Sequence, residues 1–268
     1  MASAGLTDVG KIREKNEDSF LVNDELGLYL VADGMGGHIA GDVASRMATE
    51  EVESCVRTRL AKYPPEARTP EIYLEALRDA FQLANRAIYS YSRRGPFPVI
   101  LGTTAVAALT VGNDLYIAHV GDSRLYLYRK GQGRRLTKDH SQVQELIDFG
   151  HLTEDEAENH ALSNVITRSL GGEPHVEVDL LRDTLEAGDV VLLCTDGLRR
   201  VLSEAEILAV VQDETRPLAD LCKTLVDRTL AGGAPDNVTV VLLRGGAGER
   251  FADQRGDERS IGGAVVRK

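Results

Sequence analysis

Apolar residues recur along the chain with two periods, and each period predicts one kind of element. An unbroken apolar run at 28–32 predicts a buried strand. A row of apolar residues spaced by four, beginning at Ile39, then predicts an amphipathic helix. A second long helix is predicted from Pro70 to Tyr91, with Thr69 as its N-cap. The first third of the chain is therefore expected to hold a strand followed by a pair of helices.

Alternating or wholly apolar runs predict strands in the rest of the chain, at 103–111, 114–120, 124–129, 175–181, 189–194 and 237–243. An insert at 138–172 separates the third of these strands from the fourth and contains a capping box of Thr153 and Glu156. One further helix is predicted to begin after Ser203, and another is predicted over 217–230. Because the strands are not separated one by one by helices, the order favours antiparallel sheets covered by helices.

Length and composition indicate one soluble domain with a polar extension. The chain has 268 residues, and the domain is expected to occupy residues 1–244. Residues 245–268 carry glycines and charges without an apolar period, which predicts a flexible tail. No apolar run approaches the roughly 18 residues of a membrane helix, and the N-terminus becomes polar too early for a secretory signal. A cytoplasmic monomer that does not bind membranes is the simplest expectation.

Charge and cysteine content restrict the classes of partner and cofactor. The formal net charge of −11 disfavours binding to nucleic acid or to anionic membranes. The three cysteines are far apart and form no CxxC pair, which argues against a disulfide framework or a zinc site. Cys194 lies in an apolar run and is expected in the core. A phosphate-bearing substrate of so acidic a chain has to meet a local positive centre.

Aspartates recur at the ends of the predicted strands: Asp33, Asp122 and Asp196 each follow an apolar run, and Asp236 precedes one. In an antiparallel sheet the end of one strand and the start of its neighbour share an edge, so these carboxylates are expected to converge. Clustered carboxylates repel one another and resist burial, and a bound cation relieves both effects. Oxygen ligands without His or Cys favour Mg²⁺ or Mn²⁺, with the Gly34 carbonyl as a further candidate ligand. Each aspartate alone is explained as a turn residue, and only their repetition predicts a metal site.

Six segments closely resemble, in order, the motifs of the metal-dependent serine/threonine phosphatases of the protein phosphatase 2C family in its bacterial form: REKNEDSF (13–20), VADGMGGHIAGDVAS (31–45), GTTAV (102–106), HVGDSRLY (119–126), LCTDGL (193–198) and PDNVTVV (235–241). The resemblance extends over nearly all of residues 5–244. It implies an α+β fold, a four-layer αββα sandwich of two antiparallel β-sheets flanked by helices, with a metal centre at one end. The insert at 138–172 resembles the family's flap, a mobile segment over the site.

The resemblance also implies a role for each motif aspartate. Asp33 would bridge two Mn²⁺ or Mg²⁺ ions, and the Gly34 carbonyl would bind one of them. Asp196 and Asp236 would bind the other ion, and Asp122 would bind a weaker third ion. Such ions would also supply the positive centre that the acidic chain otherwise lacks.

Residues near the N-terminus complete the implied site. Arg13 would grip the substrate phosphate, while Glu17 and Asp18 would act mainly through metal-bound water. The implied reaction is hydrolysis of phosphoserine and phosphothreonine by direct attack of a metal-bridging hydroxide, with Arg13 and Asp33 as catalytic residues. Phosphorylated proteins are the expected partners, together with a bacterial serine/threonine kinase that the enzyme opposes.

The histidines and the flap depart from the pattern of the family. Met35 stands where eukaryotic relatives have a histidine proposed as general acid, and bacterial relatives commonly share this methionine. His38 is another candidate acid, although a structural or solvated role is favoured for it. His119 is expected to be a satisfied core or edge residue. In the flap, His160–Asn164 lacks the proline and arginine of the usual HPxRN sequence.

Two other classes of function stay open from the sequence, both ranked behind the phosphatase. A catalytically silent member that binds phosphoproteins would be expected to have lost a metal ligand, and none is lost here. A hydrolase of small phosphoesters or nucleotides would need a base-stacking pocket. The chain has no Trp and few aromatic residues from which to build one.

Overall fold

A computed structural model of the chain describes residues 1–36, 41–94, 101–158 and 160–245. The predictions made for His38 and for residues 246–268 of the tail lie outside these described residues. Among the helices in the described ranges, none combines the length and the apolar character that crossing a bilayer requires.

The strands within these ranges are β1 (Ala2–Asp8), β2 (Asp18–Asn23), β3 (Leu28–Met35), β4 (Gly102–Thr103), β5 (Ala105–Val111), β6 (Asp114–Val120), β7 (Arg124–Arg129), β8 (Gln132–Arg135), β9 (Asp179–Thr184), β10 (Val190–Cys194) and β11 (Val238–Arg244). The α-helices are α1 (Gly41–Leu60), α2 (Pro70–Ser92), α3 (Gln142–Asp148), α4 (Glu154–Glu158), α5 (Asp196–Arg199), α6 (Glu204–Val211) and α7 (Leu218–Ala231).

The strands form two sheets in which every pair is antiparallel. One sheet has the order β1-β11-β10-β7-β8, and the other has the order β2-β3-β5-β6-β9 with β4 paired to β3. Strand β11 lies between β1 and β10 and is antiparallel to both. The segments that follow β1, follow β10 and precede β11 therefore meet at the same end of the first sheet. These segments carry Arg13, Asp196 and Asp236.

Three apolar clusters separate four layers. One joins α1 and α2 to the second sheet and includes Phe81 and Leu30. Another fills the space between the sheets and includes Val31 and Leu193. A third joins α6 and α7 to the first sheet and includes Leu225. Successive residues of a strand point to opposite faces, so a strand buried on both faces needs the unbroken apolar run seen at β3. The predicted α+β fold, an αββα sandwich, is confirmed.

Several predicted boundaries agree with the structure. Helix α2 begins at Pro70, as the sequence predicts. At the start of α6 the Ser203 hydroxyl accepts a hydrogen bond from the Glu206 amide, and the Glu206 carboxylate accepts one from the Ser203 amide. Thr153 and Glu156 make the same pair of contacts at the start of α4. These caps satisfy backbone groups that the first turn of a helix leaves free.

Two strand predictions are wrong in detail. Strand β9 covers Asp179–Thr184 instead of 175–181, because it pairs along β6 in a register that begins at Asp179. The alternating residues at 175–178 have no strand partner in the part of the chain that the structure describes. Strand β3 does not end at Asp33 but continues to Met35, since its last two residues pair with β4.

Candidate metal centre

Two aspartates face each other at the centre of the predicted site. In the register of β2 and β3, Asp18 lies directly opposite Asp33. Asp18 is buried and Asp33 is partly exposed. Directly opposed like charges destabilise a strand pair unless something neutralises them. The family resemblance implies that Asp18 acts mainly through metal-bound water, and the strand register makes Asp18 the direct cross-strand neighbour of Asp33.

Three more aspartates lie around this pair. Asp196 is the first residue of α5, Asp236 lies two residues before β11, and Asp122 lies in the turn between β6 and β7. The charges of all three, together with that of Asp18, contribute to raising the pKa of Asp33. The four strand-end aspartates predicted from the sequence are thus brought together, and Asp18 is added to them.

Asp18 uses only one carboxylate oxygen to bind protein donors. Its Oδ2 atom accepts hydrogen bonds from Thr239 Oγ1 at 2.6 Å and from Thr195 Oγ1 at 2.9 Å. The Oδ1 atoms of Asp18 and Asp196 are buried and have no hydrogen-bond partner within the described parts of the chain. A buried carboxylate oxygen without a donor is costly unless a cation binds it. This set of oxygen donors fits the Mg²⁺ or Mn²⁺ that the sequence predicts.

The glycine that follows Asp33 allows three backbone segments to meet beside the aspartates. The Gly34 amide donates a hydrogen bond to the Glu17 carbonyl at 3.1 Å. A Cβ atom at residue 34 would overlap the carbonyl oxygens of Glu17 and Gly41. On the other side of the strand, the Asp33 amide donates to Thr104 Oγ1 at 3.0 Å. The backbone that carries Asp33 is therefore fixed from both sides.

Burial and repulsion raise the pKa of several of these carboxyls. Burial is the main cause for Asp18, whose pKa rises to about 7 although two threonine hydroxyls oppose the rise. Burial, and then the charge of Asp18, raise the pKa of Asp33 well above its usual range. Burial, and then Asp196, raise the pKa of Asp122 to about 6 against the opposing charge of Arg199. A divalent cation would favour the ionised form of each group.

A buried asparagine fixes the loop that carries the predicted phosphate-binding residue. Asn237 Nδ2 donates to the carbonyls of Val9 and Lys15, both at 2.9 Å. Its Oδ1 atom accepts the Glu17 amide at 2.8 Å. These bonds tie the segment between β1 and β2, which contains Arg13, to the start of β11. The sequence analysis did not single out Asn237, although it follows Asp236 in the PDN motif.

Arg13 and Glu17 occupy different environments. Arg13 Nε and Asp236 Oδ1 are 2.9 Å apart, as are Arg13 Nη2 and Asp236 Oδ2, and the arginine side chain is 53% exposed. The Glu17 carboxylate instead lies against Gly41 at the first residue of α1. A helix N-terminus favours negative charge, while burial raises the pKa of Glu17.

Two arginines that the sequence analysis did not single out pair with the outer aspartates. Arg200 Nη2 and Nε lie 2.5 Å and 2.8 Å from Asp196 Oδ2. Arg199 Nη2 lies 3.0 Å from Asp122 Oδ2. The first pair has a sequence signal, because residues four apart share one side of a helix, as Asp196 and Arg200 do in DGLRR.

The two ends of the predicted flap meet beside Asp122. The His140 amide donates to the Gly121 carbonyl at 2.8 Å, and the Gly121 amide donates to His140 Nδ1 at 3.0 Å. The Thr167 amide donates to the His140 carbonyl at 2.9 Å. The altered flap segment, His160–Asn164, is largely exposed.

His119, His140 and Asp179 have ligand atoms within 4.8 Å of one another, a spacing that a metal site would require. Arg168 Nη1 already lies 2.7 Å from Asp179 Oδ1 and 3.1 Å from His140 Nε2. Because a backbone amide donates to His140 Nδ1, the proton of this imidazole belongs on Nε2, which cannot then bind a metal. These contacts make the three residues part of a polar cluster at the base of the flap.

The prediction that His119 is a satisfied residue is wrong. Both of its ring nitrogens are buried and lack a hydrogen-bond partner among the described residues. The ring packs against His140, with centroids 4.7 Å apart. Burial lowers the pKa of His119 to about 3, so the imidazole is neutral at physiological pH.

Comparison with known proteins agrees with the motifs. A family model described as protein phosphatase 2C matches residues 12–231. The serine/threonine phosphatase stp of Listeria innocua is 37% identical over 257 residues, which cover 95% of this chain and 98% of that protein.

Solved structures give the same result. The crystal structure of the Mycobacterium tuberculosis serine/threonine phosphatase PstP/Ppp is 38% identical with a TM-score of 0.77, covering 90% of this chain and 96% of that one. A structure of the PstP catalytic domain in complex with two manganese ions is 37% identical with a TM-score of 0.76 and the same coverage. The chain belongs to the protein phosphatase 2C family.

Proposed function

We propose that this chain hydrolyses phosphoserine and phosphothreonine in proteins at the centre formed by Asp18, Asp33, Asp196 and Asp236. The chain is a serine/threonine protein phosphatase of the bacterial type, as its family and relatives establish. The proposal concerns the residues and their roles. The observation that carries it is the pair of buried carboxylate oxygens, on Asp18 and Asp196, that no described donor reaches.

Manganese or magnesium fits this centre, and the manganese-complexed relative supports metal dependence. When bound, such ions lower the pKa of coordinated water and stabilise the charge that develops on a phosphoryl group. Asp33 would hold two ions, one of them shared with the Gly34 carbonyl and the other with Asp196 and Asp236. Thr195 and Thr239 keep one oxygen of Asp18 occupied and leave its Oδ1 available to the centre.

Arg13 is proposed to orient the substrate. Its Nε and Nη2 atoms form a fork on Asp236, and the same fork fits two oxygens of a phosphate monoester. Because the side chain is half exposed, a phosphate can draw Arg13 away from Asp236 without disturbing the core. Asn237 keeps the Arg13 loop in place while the side chain moves.

The proposal extends to the substrates, the domain organisation, the oligomeric state and the location of the protein. Phosphorylated proteins are the substrates that the relatives' names suggest. We expect a catalytic unit of residues 1–244, a flap at 138–172, a monomeric state, a cytoplasmic location and an opposing serine/threonine kinase.

Phosphate release from three substrates tests this function. A phosphothreonine peptide, a phosphoserine peptide and a nucleoside monophosphate would be compared in EDTA, Mg²⁺ and Mn²⁺, with the wild type, Asp196→Asn and the control Asp220→Asn. Asp220 is an exposed residue at the start of α7. We expect peptide hydrolysis only with metal, a loss of roughly 100-fold or more in Asp196→Asn, and no change in the control. Hydrolysis without metal, preference for the nucleotide, or an inactive folded wild type would contradict the proposal.

A further inference from the structure

The three arginines around the centre differ in how many carboxylates lie within salt-bridge distance of them. Asp236 is the acidic partner of Arg13, and Asp196 is that of Arg200; within the described residues neither arginine has a second acidic partner within salt-bridge distance. A cation or a phosphate that displaces either of these guanidinium groups therefore has to compete with one carboxylate only. Arg199 is different, because it lies between two buried carboxylates.

Arg199 belongs to a row of alternating charges. Its Nη2 atom lies 3.0 Å from Asp122 Oδ2 and 4.0 Å from Asp139 Oδ2. Asp139 is in turn held by Arg124, with Nη2 at 2.7 Å from Oδ2 and Nε at 2.9 Å from Oδ1. The side chains of Asp122 and Asp139 are only 3% and 5% exposed. Withdrawing Arg199 would leave Asp122 buried and unpaired, a state that is strongly unfavourable.

This arrangement does not suit a third divalent ion. An ion bound by Asp122 would stand within a few ångströms of the Arg199 guanidinium, and the two positive charges would repel each other in a partly buried site. By contrast, no described group donates a hydrogen bond to the Oδ1 atoms of Asp18 and Asp196. The donor set at the centre therefore fits divalent ions, whereas Asp122 already has a cationic partner in Arg199.

We propose that Arg199 takes the place of a third metal ion at Asp122, so that this chain works with two divalent ions and one built-in cation. The inference rests on the proposed metal centre. It departs from the weaker third ion that the sequence motifs suggest. Arg199 acts here as a positioning residue: it holds Asp122 beside Asp196 and lies 4.0 Å from Asp139 at the start of the flap.

Counting bound Mn²⁺ tests the inference without relying on activity. Free Mn²⁺ would be followed by electron paramagnetic resonance during titration of the wild type, Asp122→Asn, Arg199→Gln and the double variant. Arg182→Gln serves as the matched control, because Arg182 forms an exposed ion pair with Asp114 away from the centre. Circular dichroism and thermal unfolding establish that each variant is folded.

We expect the wild type, Asp122→Asn and Arg182→Gln to bind the same number of ions, and the dissociation constants of Arg182→Gln to agree with those of the wild type within about twofold. Arg199→Gln is expected to gain one further ion, bound at least about tenfold more tightly than any third ion of the wild type. The double variant should lose that ion again.

An Asp122→Asn protein that binds one ion fewer than the wild type would overturn the inference, and this result does not depend on whether Arg199→Gln folds. A folded Arg199→Gln protein that gains no ion would overturn it as well. A wild type that binds no Mn²⁺ would contradict the metal centre itself, which is a different failure from a misassigned Arg199.

Discussion

Replacing Asp18 by asparagine is expected to stabilise the metal-free protein at alkaline pH. Asp18 lies buried opposite Asp33, with one oxygen bound by two threonine hydroxyls and the other without a partner among the described residues. An asparagine keeps an acceptor for the threonines and places an amide group where the unpaired oxygen lies. The substitution therefore removes a buried charge with little change of volume.

The magnitude follows from the pKa of Asp18, which burial raises to about 7 from an ordinary value of 3.8. Because the folded chain holds this proton more firmly than the unfolded chain, the stabilising contribution is complete below pH 3.8 and is lost as the pH rises through 7. The free energy of unfolding of the metal-free wild type should fall by up to about 4 kcal/mol over this interval. For a chain of this size the corresponding change in Tm is about 10 °C.

Thermal and urea unfolding in EDTA, from about pH 5 to about pH 8.5, would measure this effect. Asp18→Asn should exceed the wild type by about 2–4 kcal/mol at the upper end and show a flatter pH dependence. The control Asp227→Asn, an exposed residue of α7, should change stability by less than about 0.5 kcal/mol. Adding Mn²⁺ should stabilise the wild type more than Asp18→Asn. An Asp18→Asn protein that is less stable than the wild type in EDTA, with the same pH slope, would refute the reasoning.

Three further substitutions test separate parts of the account. Arg13→Ala should lower kcat/KM for a phosphothreonine peptide by roughly 100-fold, because the phosphate loses a charged donor that can bind two of its oxygens; an unchanged kcat/KM would argue against this role. Thr104→Val should lower the free energy of unfolding in urea by about 1–3 kcal/mol, since the Asp33 amide loses its acceptor, and an unchanged midpoint would contradict that bond's importance. Ser203→Ala should cost about 1 kcal/mol through loss of the α6 cap while leaving kcat/KM unchanged, and a loss of activity in the folded variant would show that α6 affects the site.

The long elements could be predicted from the sequence because their apolar period is sustained. Helix α2 has a buried apolar stripe from Tyr73 to Ile88 and a Thr69-Pro70 start, so its limits were predicted almost to the residue. Strands β1 and β8 carry no such pattern, and neither was predicted. The register of β1 is set by β11, which lies more than 200 residues away in the chain.

The residues of the candidate site were likewise predicted only in part. Asp33, Asp122, Asp196 and Asp236 could be singled out because each stands at an edge of an apolar run. The opposition of Asp18 to Asp33 depends on strand register, which no local pattern specifies. Arg199 lies 3.0 Å from Asp122 and 4.0 Å from Asp139, so these contacts join three segments that are distant in sequence. Such contacts follow from the assembled fold alone.

The central claim is that Asp33 holds the divalent ions on which phosphate hydrolysis depends. The most direct test measures bound Mn²⁺ and phosphate release from a phosphothreonine peptide in the same samples of wild type and Asp33→Asn. The account predicts that folded Asp33→Asn loses Mn²⁺ binding and loses activity by about 100-fold or more, while the wild type requires Mn²⁺ for both. A folded Asp33→Asn protein that binds Mn²⁺ and hydrolyses the peptide as the wild type does would contradict it.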